Sequence, residues 1–290
     1  MKIKIKIDQI DNFENHPFLV NDDDSLKLLA KSINDHGLLN PMIVRKKDNG
    51  RYEMISGHRR KTALEILGID EAEVILKELN DYEATIFMID SNMYREKILP
   101  SERAFAYKMK LDAIKHQGKK INTSATELPK LTSRELVGKQ FGDSSEIVRR
   151  YVRLTYLIPE LLKLVDNSIL HDKRTYLTIG IKPAVELSYL TKEEQKLIYS
   201  VITYEDLTPS HGQAIKIRNL SKNKLLNIDS LEEILFQKKG NQNEQISFNK
   251  EKIEEVLPID LLNRDKRYIE EYIIKAIKMY KQLEKNDVIK

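Results

Sequence analysis

Arg149, Arg150 and Arg153, with Glu146 ahead of them, fall at i, i+3, i+4 and i+7 and so share one face of a helix. A guanidinium fork can donate two hydrogen bonds to O6 and N7 of a guanine, and further positive charges neutralise phosphates. Residues at the start of a recognition helix reach base edges most readily. Ser144, Ser145, Glu146 and Arg149 are therefore the expected base readers, with Arg150 and Arg153 expected on phosphates. An ordinary helical hairpin with a solvated arginine face would show the same pattern. A second group is Ser56-Gly57-His58-Arg59-Arg60, expected between a strand and a helix. Gly57 permits a sharp turn, the helix start offers unpaired N–H groups, and Arg59 and Arg60 add charge, which together would cradle an anion. A structural turn carrying exposed arginines is the alternative. Asn92, Arg95 and Glu96 form a third polar group, which taken alone reads as ordinary surface.

The arginine face needs a scaffold, and the sequence around it supplies one. Thr132 with Glu135 makes a capping box, Leu136, Val137 and Phe141 are the expected buried face, and Gly142 ends the helix. Asp143 with Glu146 is expected to make a second capping box, and Ile147, Tyr151 and Leu154 form the apolar stripe that follows. Two helices joined so tightly outline a helix-turn-helix, and Thr132 joins its expected DNA-facing residues. Upstream, Ile3, Ile5 and Ile7 alternate with lysines as in a half-buried strand. Residues 25–36 read as a helix closed by Gly37, and residues 42–44 and 52–55 as strands flanking the turn Asp48-Asn49-Gly50. A short helix closed by Gly68 and a strand over 74–76 follow. From Asp81 the pattern is helical almost to the end, with Pro100 opening a long helix and polar linkers expected at 117–127 and 238–245. An apolar stripe from Tyr268 to Leu283 suits either a dimer seam or packing within the chain. This divides the chain into domains at 1–99, 100–224 and 225–290.

Composition narrows the function classes. The 290 residues hold no cysteine, which excludes thiol nucleophiles, thiolate metal sites and disulfides. The net charge of +4 is unevenly spread. Residues 1–99 carry 15 basic against 18 acidic side chains, residues 100–224 carry 22 against 14, and residues 225–290 carry 12 against 13. The positive excess therefore falls on the segment with the arginine face, where a polyanion would bind. No stretch has 18 uncharged apolar residues, so a cytoplasmic protein that is neither secreted nor membrane-spanning is expected.

Taken in order, several pieces resemble ParB-family partition proteins over about residues 3–220. They are the strand-helix-strand opening, the box Gly57-His58-Arg59-Arg60-Lys61-Thr62-Ala63, the segment Asn92-Met93-Tyr94-Arg95-Glu96 with Pro100 and Glu102, and then the helix-turn-helix. The resemblance implies an α+β protein: a small mixed α/β ParB/sulfiredoxin-like domain, an all-α helix-turn-helix domain and a helical C-terminal region. It also implies a homodimeric clamp on double-stranded DNA at a centromere-like site, a ParA-type ATPase partner, and association with a nucleoid or plasmid. Gly57, His58, Arg59, Arg60, Asn92 and Arg95 would face CTP and its Mg²⁺. Two positions depart from the family pattern. His58 stands where the family carries Glu, and Ser91 where it carries an acidic residue, with Asp90 one position off. Mg²⁺ prefers carboxylate oxygen. Phosphate binding is therefore expected to survive, with CTP hydrolysis weak at most and no catalytic or metal-ligating residue assigned. Ser-Gly-His-Arg is also similar to the phosphate loop of sulfiredoxin, with Gly57 in place of its catalytic cysteine. A transcription regulator or nucleoid-occlusion factor that does not spread is the alternative function, and a nucleotide hydrolase or DNase is the alternative from another class.

Overall fold

The computed structural model describes residues 1–19, 24–95, 97–117, 131–170, 176–237, 258 and 272–280. The chain divides into two compact units, residues 1–239 and 240–290.

The N-terminal part of the first unit is built on a sheet of β1 (Lys2–Lys6), β2 (Ile10–Asp11), β3 (Met42–Lys46), β4 (Tyr52–Ser56) and β5 (Glu71–Leu76), in the order β1-β5-β3-β4-β2. The Lys/Ile alternation of β1 does what its period requires: Ile3 lies opposite Val74 and Ile5 opposite Ala72. Lys4 and Lys2 reach Glu71 and Glu73 at 2.9 and 3.5 Å. These cross-strand pairs explain why β5 begins three residues before its apolar stretch. β3 runs parallel to β5 and antiparallel to β4. In the β3–β4 turn only Gly50 takes a positive φ, of 81°. Its N–H donates to the Lys47 carbonyl at 3.0 Å, giving a three-residue loop in place of a two-residue Asn-Gly turn. Helices α1 (Asp24–His36) and α2 (His58–Ile66) cover the sheet, burying Leu26, Ala30, Ile33, Ala63 and Leu64 against Met42, Val44, Met54 and Val74.

Helices α3 (Asp81–Asn92), α4 (Pro100–Gln117), α5 (Ser133–Phe141) and α6 (Ser145–Leu154) share a second core that runs across residue 99. Ile55 of β4, Met88 and Ile89 of α3, Ala106, Tyr107 and Leu111 of α4, Val137 of α5 and Val148 of α6 all belong to it. Helices α7 (Pro159–Leu170), α8 (Ile181–Leu187), α9 (Lys192–Glu205), α10 (His211–Lys222) and α11 (Ile228–Phe236) enclose a third core with Leu154 of α6.

The two helices expected around Gly142 form as α5 and α6, joined by a short turn and both capped, with one change from expectation. Thr132 and Glu135 make the first capping box, but Ser144, not Asp143, caps α6 by accepting from the Ile147 N–H at 3.2 Å. Asp143 is drawn inward, where it accepts from the Tyr107 hydroxyl and pairs with Arg103 at 3.0 Å. Leu136 is exposed and Phe141 half-buried, so Val137 alone of the three expected residues fills the core. Gly138, unremarked in the sequence, makes the turn possible. A Cβ there would lie 2.4 Å from the Asp143 carbonyl oxygen, whose own N–H donates back to the Gly138 carbonyl.

Of the linker expected at 117–127, Gln117 is the last residue of α4 and the rest lies outside the described residues, as do the linker at 238–245 and Tyr268, Ile269 and Leu283 of the C-terminal stripe. Residues 272–280 are helical, with Tyr272, Ile277 and Tyr280 exposed. No helix among the described residues is long and apolar enough to cross a membrane.

Two glycines should respond with opposite signs. Gly138→Ala is expected to destabilise the protein by about 1–3 kcal/mol, because backbone must move to admit the methyl. Gly212→Ala in α10, where the added Cβ meets nothing within 4 Å, should be neutral or stabilise by up to about 1 kcal/mol. Chemical denaturation of the two variants measures both.

Candidate nucleic-acid interface and anion cradle

The arginine face of α6 divides in two. Glu146 accepts from Arg149 Nε and Nη2, each at 2.8 Å, and from Arg150 Nε at 3.1 Å. The two guanidinium groups, Arg149 first, hold its carboxyl down at a pKa of about 2. Arg149 also reaches the Tyr189 hydroxyl at 3.4 Å, and both arginines remain open to solvent on the front of α6. Arg153 is committed elsewhere. Its Nε donates to Ser188 Oγ at 2.9 Å and its Nη2 to the Ser188 carbonyl at 2.6 Å, with the guanidinium 3.9 Å from the Tyr189 ring. It thus ties α6 to the end of α8 instead of presenting a free charge beside the other two. Thr132 and Ser144 spend their hydroxyls on helix caps, and Ser145 is half-buried in the first turn of α6. A cavity of about 240 Å³ beside Arg149 and Arg150 is lined further by Lys182, His211 and Glu186.

The second cluster surrounds the start of α2. Gly57 has φ 116°, and a Cβ there would meet Met42 Cγ at 3.0 Å, so the turn accepts only glycine without displacement. Behind it His58 is buried with Nε2 unpartnered, and its ring centroid lies 3.9 Å from that of His16. His16 Nδ1 stands 2.7 Å from the Phe18 carbonyl. A carbonyl only accepts, so Nδ1 carries the hydrogen and Nε2, also buried and unpartnered, is a bare lone pair in the neutral ring. Burial, then the neighbouring His16, Arg95 and Lys61, push the His58 pKa down to about 3. Burial lowers His16 as well. Arg95 lies over the Phe18 ring at 5.3 Å, its pKa lowered by burial against the pull of Glu102, with Arg59 adding repulsion. Arg59 donates to Ser25 Oγ at the start of α1. Gly57, His58, Arg59 and Arg95 are thus brought together.

Arg60 and Asn92 are turned to the protein. Arg60 donates to the Asn40 and Pro41 carbonyls at 2.6 and 2.8 Å, and Asn92 Nδ2 to the Met88 carbonyl at 2.8 Å. Glu96 lies outside the described residues.

Residues 2–93 match the family model of the ParB N-terminal domain. The chain is 30% identical over 194 residues to the nucleoid occlusion protein of Geobacillus sp. (strain WCH70), covering 67% of this chain and 60% of that protein. It is 33% identical over 145 residues to the chromosome-partitioning protein Spo0J of Thermus thermophilus, covering 50% and 47%. The chain belongs to the ParB/Spo0J/Noc family. It spans about three-fifths of the length of the nucleoid occlusion proteins it matches. Among solved structures, Caulobacter crescentus ParB complexed to the centromeric parS site aligns over 76% of this chain and 99% of that one, at 17% identity and a TM-score of 0.41. A pNOB8-like ParB N-domain aligns over 81% and 97% at 18% identity and a TM-score of 0.45. The family assignment rests on the sequence matches.

Within this ParB-family chain, sequence reasoning missed His16, Ser25, Lys182, Tyr189 and His211. His16 had one visible signal, since His16-Pro17-Phe18 is a short segment with an aromatic anchor. The others owe their places to contacts far along the chain.

The two neutral histidines make stability pH-dependent. The folded pKa of His58 lies below its unfolded value of about 6.5, so the unfolded chain binds more protons between pH 6.5 and 3. Stability is therefore expected to be full above pH 6.5 and to fall as pH drops towards 3. Denaturant midpoints across that range should show the loss, and His58→Asn should reduce it.

Proposed function

We propose that this ParB-family chain binds double-stranded DNA through α5 and α6, with α6 as the recognition helix and Arg149 reading a guanine in the major groove. The observation that supports this most is the pair Arg149 and Arg150, exposed on the first turns of a helix whose N-terminus is capped by Ser144 and whose register is fixed by Val148. Glu146 pre-aligns both guanidinium groups, and Lys182 and His211 continue the basic surface towards phosphates. The reading includes a centromere-like target site, a homodimer with the helix at 272–280 in its seam, a ParA-type ATPase partner and association with a nucleoid or plasmid. Sedimentation tests the dimer.

The cradle at Gly57 is read as the phosphate site of a nucleotide, CTP by family resemblance. His58, Arg59 and Arg95 supply its polar and charged lining. CTP would act as a switch on the DNA-bound state, not as a substrate for rapid turnover.

Several of the similar proteins are nucleoid occlusion proteins, which favours a second reading in which the chain is a nucleoid-occlusion factor that does not spread. A genome-wide binding profile separates the two: a broad plateau around one site accompanies spreading, and sharp peaks accompany binding without it.

Arg149→Ala is expected to cost about 1–3 kcal/mol on the preferred duplex and little on a random one. Arg150→Ala should weaken both alike and lower the slope of log K against log salt by about 1. Equal losses on both duplexes for Arg149→Ala would remove it from base reading.

A further inference from the structure

The Mg²⁺ that the resemblance implies does not fit the donors around the Gly57 cradle. Asp90 is engaged by the buried ammonium of Lys110. Glu102, the carboxylate that acts on Arg95, gives one oxygen to the Leu19 N–H at 2.7 Å and the other to the Leu99 N–H at 2.8 Å. His58 and Ser91 occupy the two positions where an acidic side chain would stand. A hard divalent ion needs free oxygen ligands, carboxylates foremost, and these residues offer none.

The cradle offers the opposite chemistry. Arg59 and Arg95 bring fixed charge, and two imidazoles leave buried Nε2 atoms without a partner. Unsatisfied buried polar atoms are rare and costly in folded proteins. An anionic oxygen would satisfy them, on one condition. His16 already donates its Nδ1 hydrogen to Phe18, so its Nε2 can donate only after the ring gains a proton. The charges acting on the pair are Arg95, after α3, on both rings and Lys61 of α2 on His58, while Arg59 and Glu102 act on Arg95. With cations and no carboxylate acting directly on the rings, both stay neutral until an anion binds. The several negative charges of a phosphate chain reverse that balance.

We propose that the cradle binds the phosphate chain of a nucleotide without a divalent metal, the His16–His58 pair taking up one proton from solvent as the anion enters. The proton adds to the lone pair of one Nε2, which then donates to a phosphate oxygen, and no bond of the nucleotide breaks. Two rings 3.9 Å apart disfavour a second proton, so the pair titrates as a unit. The inference rests on reading the cradle as a nucleotide site.

Calorimetric titration of the full chain with CTP, in EDTA and in Mg²⁺, tests it in two buffers of different ionisation heat. The expected result is a Kd in EDTA within about three-fold of that in Mg²⁺. About one proton should be taken up per site, and the Kd should weaken by up to about ten-fold per pH unit above neutrality. The double variant His16→Gln, His58→Asn, verified as folded by circular dichroism, should bind with no proton uptake. Binding that requires Mg²⁺, or that takes up no proton in the unmodified chain, overturns the inference and leaves the nucleotide site standing. No binding of CTP under any of these conditions removes the nucleotide reading itself, and the inference with it.

Discussion

The ammonium of Lys110 is a buried charge that ties together the three helices α3, α4 and α5 of the first unit. It lies on α4, 2% exposed, and donates to Asp90 on α3 and to Gln140 Oε1 on α5 at 2.5 Å, with the Phe141 ring 4.6 Å away. A cation removed from water survives only where partners replace its hydration, so three helices must hold their relative positions for it to be buried at all. One of those helices packs on the sheet that carries the Gly57 turn, and another is the first helix of the helix-turn-helix. Tyr107 and Arg103, one and two turns earlier on α4, extend the arrangement by holding Asp143 in the turn itself. Helix α6 and the Gly57 turn are therefore joined through α4, and Tyr107, Val137 and Val148 fill the apolar part of the same core.

The electrostatics of α6 follow from this placement. With Glu146 holding Arg149 and Arg150 on one side and Ser188 holding Arg153 on the other, the three arginines serve two purposes. Two present an aligned, solvent-accessible pair whose internal carboxylate would be displaced or shared on the proposed binding of a DNA phosphate or base. The third fastens the helix to the domain behind it, stacked against the same Tyr189 that reaches Arg149. Discrimination between bases gains from this rigidity, since a guanidinium already oriented loses less freedom on binding.

Much of this was legible in the sequence. The Lys/Ile alternation, the Thr132–Glu135 box and Gly142 follow from local chemistry, and each formed as local chemistry requires. The exceptions share a cause, because they depend on partners distant in the chain. Asp143 looks like a helix cap until Tyr107, 36 residues away, is placed beside it, after which Ser144 takes the cap. Arg153 reads as one more solvent-facing arginine until Ser188, 35 residues on, is placed beside it. Gly138 sits in the middle of a helix, where glycine signals only low propensity, and its role appears once the Asp143 carbonyl is known to pass 2.4 Å from its missing side chain. In the cradle, Gly57 and the arginines stood out by type, whereas His16 lies far back in the chain from His58 and only the adjoining Pro17-Phe18 anchor hints at its place.

The central claim is that α6 reads bases in the major groove through Arg149. Methylation interference on a duplex selected by the protein from a random pool tests it directly, because dimethyl sulfate modifies guanine N7, one of the two atoms an arginine fork would bind. The account predicts strong interference at a guanine N7 in the selected site, lost selectively with Arg149→Ala. Interference at no guanine N7, with protection confined to phosphates, would contradict it.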